Sequence, residues 1–217
     1  MGNEYADKTY HKWQQWLEII YKEIQLLSIY NNVFWEVQKI VKKNTNIQKP
    51  SSFYDFMARS YIAFSAMSIR RLVKIDKNGV SLARLLSEMV RHPKTITKDR
   101  FAIPYMGTVV EDHIDRDFRK YADRAGQYFD PHIAEKDLKA LKRCASKIEA
   151  FADKRIAHHD KKPPRNLPCF KDIDKCLKTL EALLKKYSLL FTATAITNVL
   201  PVYQYDWKAI FRERWIN

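Results

Sequence analysis

The chain reads as an all-α protein, an up-and-down helical bundle of five to seven helices with no sheet. Three observations carry that reading. Apolar residues recur at steps of three and four along most of the 217 residues. No strand-like alternation survives beyond four residues. Prolines and capping side chains divide the periodic stretches at intervals that suit helices. The length fits a single helical domain over residues 1–217, with a short tail, 201–217, packed on or beside the bundle.

Taken in order, Tyr10, Trp13, Leu17, Ile20, Ile24 and Leu27 make one apolar stripe, and Tyr30-Asn31-Asn32 reads as a break. Helical spacing resumes from Val33 to Lys43 with Phe34, Val37 and Val41. Pro50 stops it, and Ser51 or Ser52 caps the next helix, which carries Phe53, Phe56, Tyr61, Phe64 and Met67 to about Val73. After the turn Asp76-Lys77-Asn78-Gly79, Ser81 opens a short helix with Leu82, Leu85, Leu86 and Met89 on one side. His92 to Pro104 reads as a loop, and Val109 to Tyr121 as a helix with Val110, Ile114, Phe118 and Tyr121 in register. Beyond Asp130-Pro131, a strong amphipathic helix is expected from Glu135 to about His158, ended by Lys161-Lys162-Pro163-Pro164. A last long helix starts near Asp172, and Asp206 is placed to cap WKAIFRERW.

Composition removes several function classes. Apolar residues make up 46% and charged residues 29%, which suits a packed core rather than disorder. Only four glycines occur, and none cluster, so the phosphate-cradling loops of dinucleotide and P-loop folds are excluded. Three cysteines, Cys144, Cys169 and Cys176, form no CxxC spacing, which leaves neither a zinc module nor a disulfide framework. The opening MGNEYADK is too polar for a secretory signal, and Leu189 to Tyr205 is too mixed to span a bilayer. A cytoplasmic protein without a membrane partner is expected.

The net charge is +14, from 39 Lys and Arg against 25 Asp and Glu. Two segments hold most of it: Ser68–Arg100 has nine basic and three acidic residues, and Ala134–Arg165 has ten and five. An excess of this kind signals a polyanion, although a lysine-rich solvated face is the plain alternative. The sharpest local feature is Asp153-Lys154-Arg155-Ile156-Ala157-His158-His159-Asp160, at the expected end of the strong helix. On an α-helix, Lys154 and His158 would lie within about 40° of each other, and so would Arg155 and His159. A histidine near a helix C-terminus is favoured by the dipole whatever its role. The same pair beside two cations is also what an acid–base site with a phosphate clamp requires. Arg70 and Arg71 interrupt an apolar helix and call for an acidic partner or an anion. His11, His92, His113 and His132 lack metal-ligand spacing, and neither GxSxG nor HExxH occurs.

The segments MSIRRLVKIDKNGVSLARLLSEM, FADKRIAHHDK and DWKAIFRERWI, in this order and spacing, resemble the HEPN superfamily and within it the abortive-infection AbiU-type branch. The resemblance covers most of the chain. It implies a helical bundle, commonly dimeric, and in active members a metal-independent endoribonuclease in which an arginine and a histidine stand four to six intervening residues apart. Such proteins often serve as toxins or antiphage effectors. Counting back from His158, the arginine position falls on Asp153, Ala152 or Phe151; from His159 it falls on Lys154, Asp153 or Ala152. No arginine is there, and only Lys154 with His159 keeps charge and spacing. Lysine lacks the bidentate grip of a guanidinium.

The expected site therefore comprises His158, His159, Lys154 and Arg155 as catalytic candidates, with Arg70, Arg71 and Asp160 binding substrate and with no metal or cofactor. RNA, a second copy of the chain and an antitoxin or defence-system partner are the expected partners. The rival expectation is a non-catalytic helical module that binds RNA or protein, or a structural dimer subunit.

Overall fold

A computed structural model describes residues 2–158, 160–162 and 164–214, and its spine is the 42-residue helix α1 (Gly2–Lys43). Its buried stripe, Tyr10, Trp13, Leu17, Ile20, Ile24 and Leu27, is the one the periodicity marks out. The expected break at Asn31 and Asn32 is absent. Asparagine disfavours helix because its amide competes for local backbone groups. Here both amides are engaged at a distance: Asn31 donates to the Tyr61 hydroxyl at 2.8 Å and to Asp174 at 2.7 Å, and Asn32 donates to Tyr203 at 3.0 Å.

Helix α2 (Ser52–Val73) starts where Ser51 accepts a hydrogen bond from the Phe53 amide, and α3 (Leu82–Arg91) where Ser81 accepts from the Arg84 amide. The stretch expected to be a loop contains a short helix α4 (Lys98–Ala102), because Thr97 caps it and Phe101 supplies a fully buried anchor. The opposite correction applies next. Instead of one helix from Val109 to Tyr121 there is a 3-10 turn, Glu111–His113, and a five-residue helix α5 (Ile114–Phe118). Phe118 and Tyr121 are buried as expected, while Val109 and Val110 lie exposed, since Glu111 turns back to accept from the Gly107 amide.

Helix α6 (Pro131–Phe151) begins four residues before the expected Glu135, with Asp130 capping it and Pro131 in its first turn. Helix α7 (Phe170–Thr192) likewise begins ahead of Asp172, whose carboxylate accepts from the Cys169 amide at 2.9 Å. Among the described residues there are no strands, only two isolated bridges, Thr97 with Tyr128 and Ala122 with Phe129.

Helix α6 lies innermost, against α2, α3 and α7, while α1 covers α2 and α7. Cross-helix pairs give the directions. Tyr10 meets Phe191 and Ser28 meets Glu181, so α1 and α7 are antiparallel. Cys144 meets Cys176 and Asp137 meets Tyr187, so α6 and α7 are antiparallel too. An aromatic knot joins three helices where Phe34 stacks on Tyr61 with centroids 4.1 Å apart and Phe170 closes on both. The segment beyond α7 returns to α1 through the Lys208–Glu36 pair, and a 3-10 turn, Ala209–Arg212, replaces the expected terminal helix.

A polar cluster sits inside this frame. Glu88, 8% exposed, accepts from Lys12 at 2.7 Å and from the Trp13 indole at 2.9 Å, with Arg84 at 3.4 Å. Burial alone would raise its pKa. The two hydrogen bonds and the charges of Lys12 and Arg84 outweigh that and hold it below the usual carboxylate range.

Candidate functional site

The inner helix α6 does not continue to His158 as an α-helix. From Ala152 to Ala157 the backbone widens into a π-helical turn, and His158 leaves it in an extended conformation, φ −138°, ψ 154°. Such turns commonly mark functional positions. Ala152 is fully buried and Ile156 packs against the core, so the turn is anchored from inside. The Asp160 amide donates to the Lys154 carbonyl at 3.1 Å and closes the corner.

The last turn of α2 supplies the second tether. The Arg70 Nε donates to the Asp153 carboxylate, with the arginine side chain 19% and the aspartate 39% exposed. An ion pair this wet contributes about 0–1 kcal/mol, so its importance lies in position. It joins two segments 83 residues apart. Arg71 turns the other way: its guanidinium pairs with Glu23 of α1 and donates to Ser68 at 3.0 Å, which removes it from the corner.

The expected stacking of Lys154 on His158 along one α-helical stripe does not hold, because the π-turn changes the angular step and His158 lies beyond it. Lys154 is half-buried, whereas Arg155, His158 and Asp160 are exposed. Neither Lys154 nor Arg155 has a carboxylate partner among the described residues. His159, and with it the Arg155–His159 pairing, lies outside the described residues. The corner thus joins Arg70 to Asp153, with Lys154 and Arg155 following on the same turn and His158 at its end. Among the described residues no group of three or more His, Cys, Asp and Glu gathers to hold a metal ion.

Sequence reasoning missed the thiol pair on the α6–α7 seam. Cys144 Sγ and Cys176 Sγ lie 3.1 Å apart, although 32 residues separate them and no motif spacing announces the contact. The hydrogen bond between them, with help from Thr179 and Lys175 against the effect of burial, lowers the Cys144 pKa to about 7. The same bond and deeper burial push the Cys176 thiol up. The cue available in sequence was weak: Cys176 follows Ile173 and precedes Leu180 on the apolar stripe of its helix.

The inner helix of this all-α bundle thus ends in a turn carrying Lys154 and Arg155, with His158 just beyond it. A family model, HEPN_AbiU2, described as AbiU2, matches residues 10–210, and the chain belongs to that family. No curated protein and no solved structure matches the chain. No helix of the described residues is long and apolar enough to cross a membrane.

Proposed function

We propose that this HEPN protein of the AbiU2 family is a metal-independent endoribonuclease of a phage-defence or toxin system, working in the cytoplasm as a homodimer of single-domain chains alongside an antitoxin or defence-system partner. The observation that carries the reading is the Arg70–Asp153 pair. Asp153 occupies a position where active members carry arginine, and a guanidinium reaches that position from α2 instead. Lys154 and Arg155, lacking carboxylate partners among the described residues, supply further positive charge beside it.

In this reading a histidine of the 158–159 pair takes the proton of the ribose 2′-hydroxyl or gives one to the leaving 5′-oxygen. The 2′-oxygen forms the new bond to phosphorus as the bond to the 5′-oxygen breaks, leaving a cyclic phosphate and a free 5′-hydroxyl. Cations at the corner stabilise the charge that grows on the phosphoryl oxygens. Asp160 closes the turn and holds Lys154 in place through its backbone.

The same Asp153 favours a second reading, a non-catalytic RNA- or protein-binding module, because Arg70 is already neutralised. Purified protein incubated with a generic RNA in EDTA separates the two. Cleavage that falls ~10²–10⁴-fold in His158→Ala or His159→Ala, with helical content intact, supports the nuclease. RNA binding without cleavage in the wild type supports the module.

A further inference from the structure

We propose that the outer seam of α6 and α7 is a track for a single-stranded RNA backbone leading to the Arg70–Asp153 corner. The inference rests on the RNA-acting reading above and names where that substrate lies. Lys136, Arg143 and Lys147 recur at steps of seven and four on α6, and Lys171, Lys175 and Lys178 at steps of four and three on α7; all six are exposed. The helices meet at Cys144 with Cys176 and at Lys147 with Asp172, 3.6 Å apart. At about 100° per residue the α6 row falls on the solvent side of that seam, and the α7 row on the outward face of α7 next to it, where Lys178 also borders α1. A shallow hollow of about 580 Å³ opens along α7 beside Lys171, Lys175, Lys178 and Thr179, with Asp174 also on its wall.

What distinguishes this face from an ordinary solvated one is where the acids go. Asp174 accepts from Asn31 and Trp35, Glu181 accepts from Ser28, and Asp137 is taken by Lys186 and Tyr187. Of the other acids on these helices, Glu135 is taken by Lys139, Asp172 by Lys147, and Glu149 lies about 140° round α6 from its basic row, so of the six cations only Lys147 has an ion pair among the described residues. Mixed charges on one helix would normally neutralise each other at steps of three and four. Their segregation leaves an uncompensated positive row facing solvent, which attracts a polyanion.

The row from Lys136 to Lys147 spans about 17 Å of helix. That length is enough to follow several successive nucleotides of a single strand. Its end near Lys147 is the end from which α6 runs directly into the π-turn. An anionic membrane fits less well. A membrane-surface helix sets large apolar residues among its lysines, whereas Ala140, Ser146 and Ala182 interleave here, and none of the exposed large hydrophobics of the molecule lies on α6 or α7.

The test uses the full chain with Arg143→Glu, Lys175→Glu and Lys178→Glu combined, and a control with Lys42→Glu, Lys43→Glu and Lys49→Glu, three exposed cations at and just beyond the C-terminal end of α1. A fluorescent single-stranded RNA of about twenty nucleotides is titrated across a range of salt, and a dinucleotide too short to reach the seam is assayed for cleavage. The seam variant should bind the long RNA at least 10-fold more weakly. Its salt slope should fall by about 2, at ~0.7 per lost phosphate contact. Turnover of the dinucleotide should stay unchanged and the control should bind as the wild type does. Equal losses in both variants, or wild-type binding by the seam variant, overturn the track while leaving the nuclease reading standing. A wild type that neither binds nor cleaves RNA overturns both. Seam-dependent binding to phosphatidylserine vesicles with no effect on RNA overturns the track in favour of a lipid surface.

Discussion

Glu88 shows how one buried acid ties α1 to α3 and sets a pH limit. Its pKa is lowered in the folded state, so the stability it provides is present above the ordinary Glu pKa of about 4.3 and is lost as pH falls through the lower, folded value. Glu88→Gln should cost about 1–3 kcal/mol at neutral pH, by weakening the bonds from Lys12 and Trp13. Its unfolding midpoint should converge with that of the wild type as acid is added. Parallel curves from pH 7 to pH 3 would contradict this account. Cys144 gives a second reading at the same scale. In a Cys169→Ser background, alkylation at neutral pH should mark Cys144 well before Cys176, with a rate that climbs through about pH 7. Peptide mass mapping reads the order directly. Neither behaviour could be read from sequence, because each depends on a partner brought from a distant helix.

Caps account for much of what sequence reveals about the elements, and tertiary contacts account for what it hides. Ser51, Ser81 and Asp130 each cap the helix they were expected to open or precede, since that hydrogen bond is local and needs only the chain beside it. Asn31 and Asn32 misled because Tyr61, Asp174 and Tyr203 satisfy them across the bundle. The π-turn at Ala152–Ala157 was likewise invisible, since its tether Asp153 finds Arg70 only in the fold. The candidate site was thus legible as a cluster of residue types, not as a geometry. Helix α7 ends on Ala193 with φ +53°, the left-handed region that favours glycine. Ala193→Gly should therefore raise stability by about 0.5–1 kcal/mol, read as a higher thermal midpoint. A fall would mean that the alanine methyl contributes more through packing than its backbone costs.

At the scale of the molecule, the HEPN reading expects two corners to meet across a twofold axis. Sedimentation at roughly tens of micromolar should give a species near twice the 25.8 kDa of the chain. A monomer throughout that range would remove the two-corner arrangement. Overall helicity, the bundle and the family were all readable from the 3.6-residue rhythm and three short segments, because long amphipathic helices specify their own period. The order of assembly was not.

The antiparallel contact of α1 with α7 bears on how the chain is made. Tyr10 and Trp13 leave the ribosome early, yet the Phe191 ring that packs against them is encoded some 180 residues later. At about 5–20 residues per second, translation keeps that apolar end of α1 waiting for roughly ten seconds or more. In the meantime α2, α3 and the segment from His92 to Arg100 are available to shield part of it. A nascent chain halted before α7 would carry an unclosed seam, a natural handle for chaperones and a hazard for aggregation. Completion of the last long helix is the event that makes the fold self-sufficient.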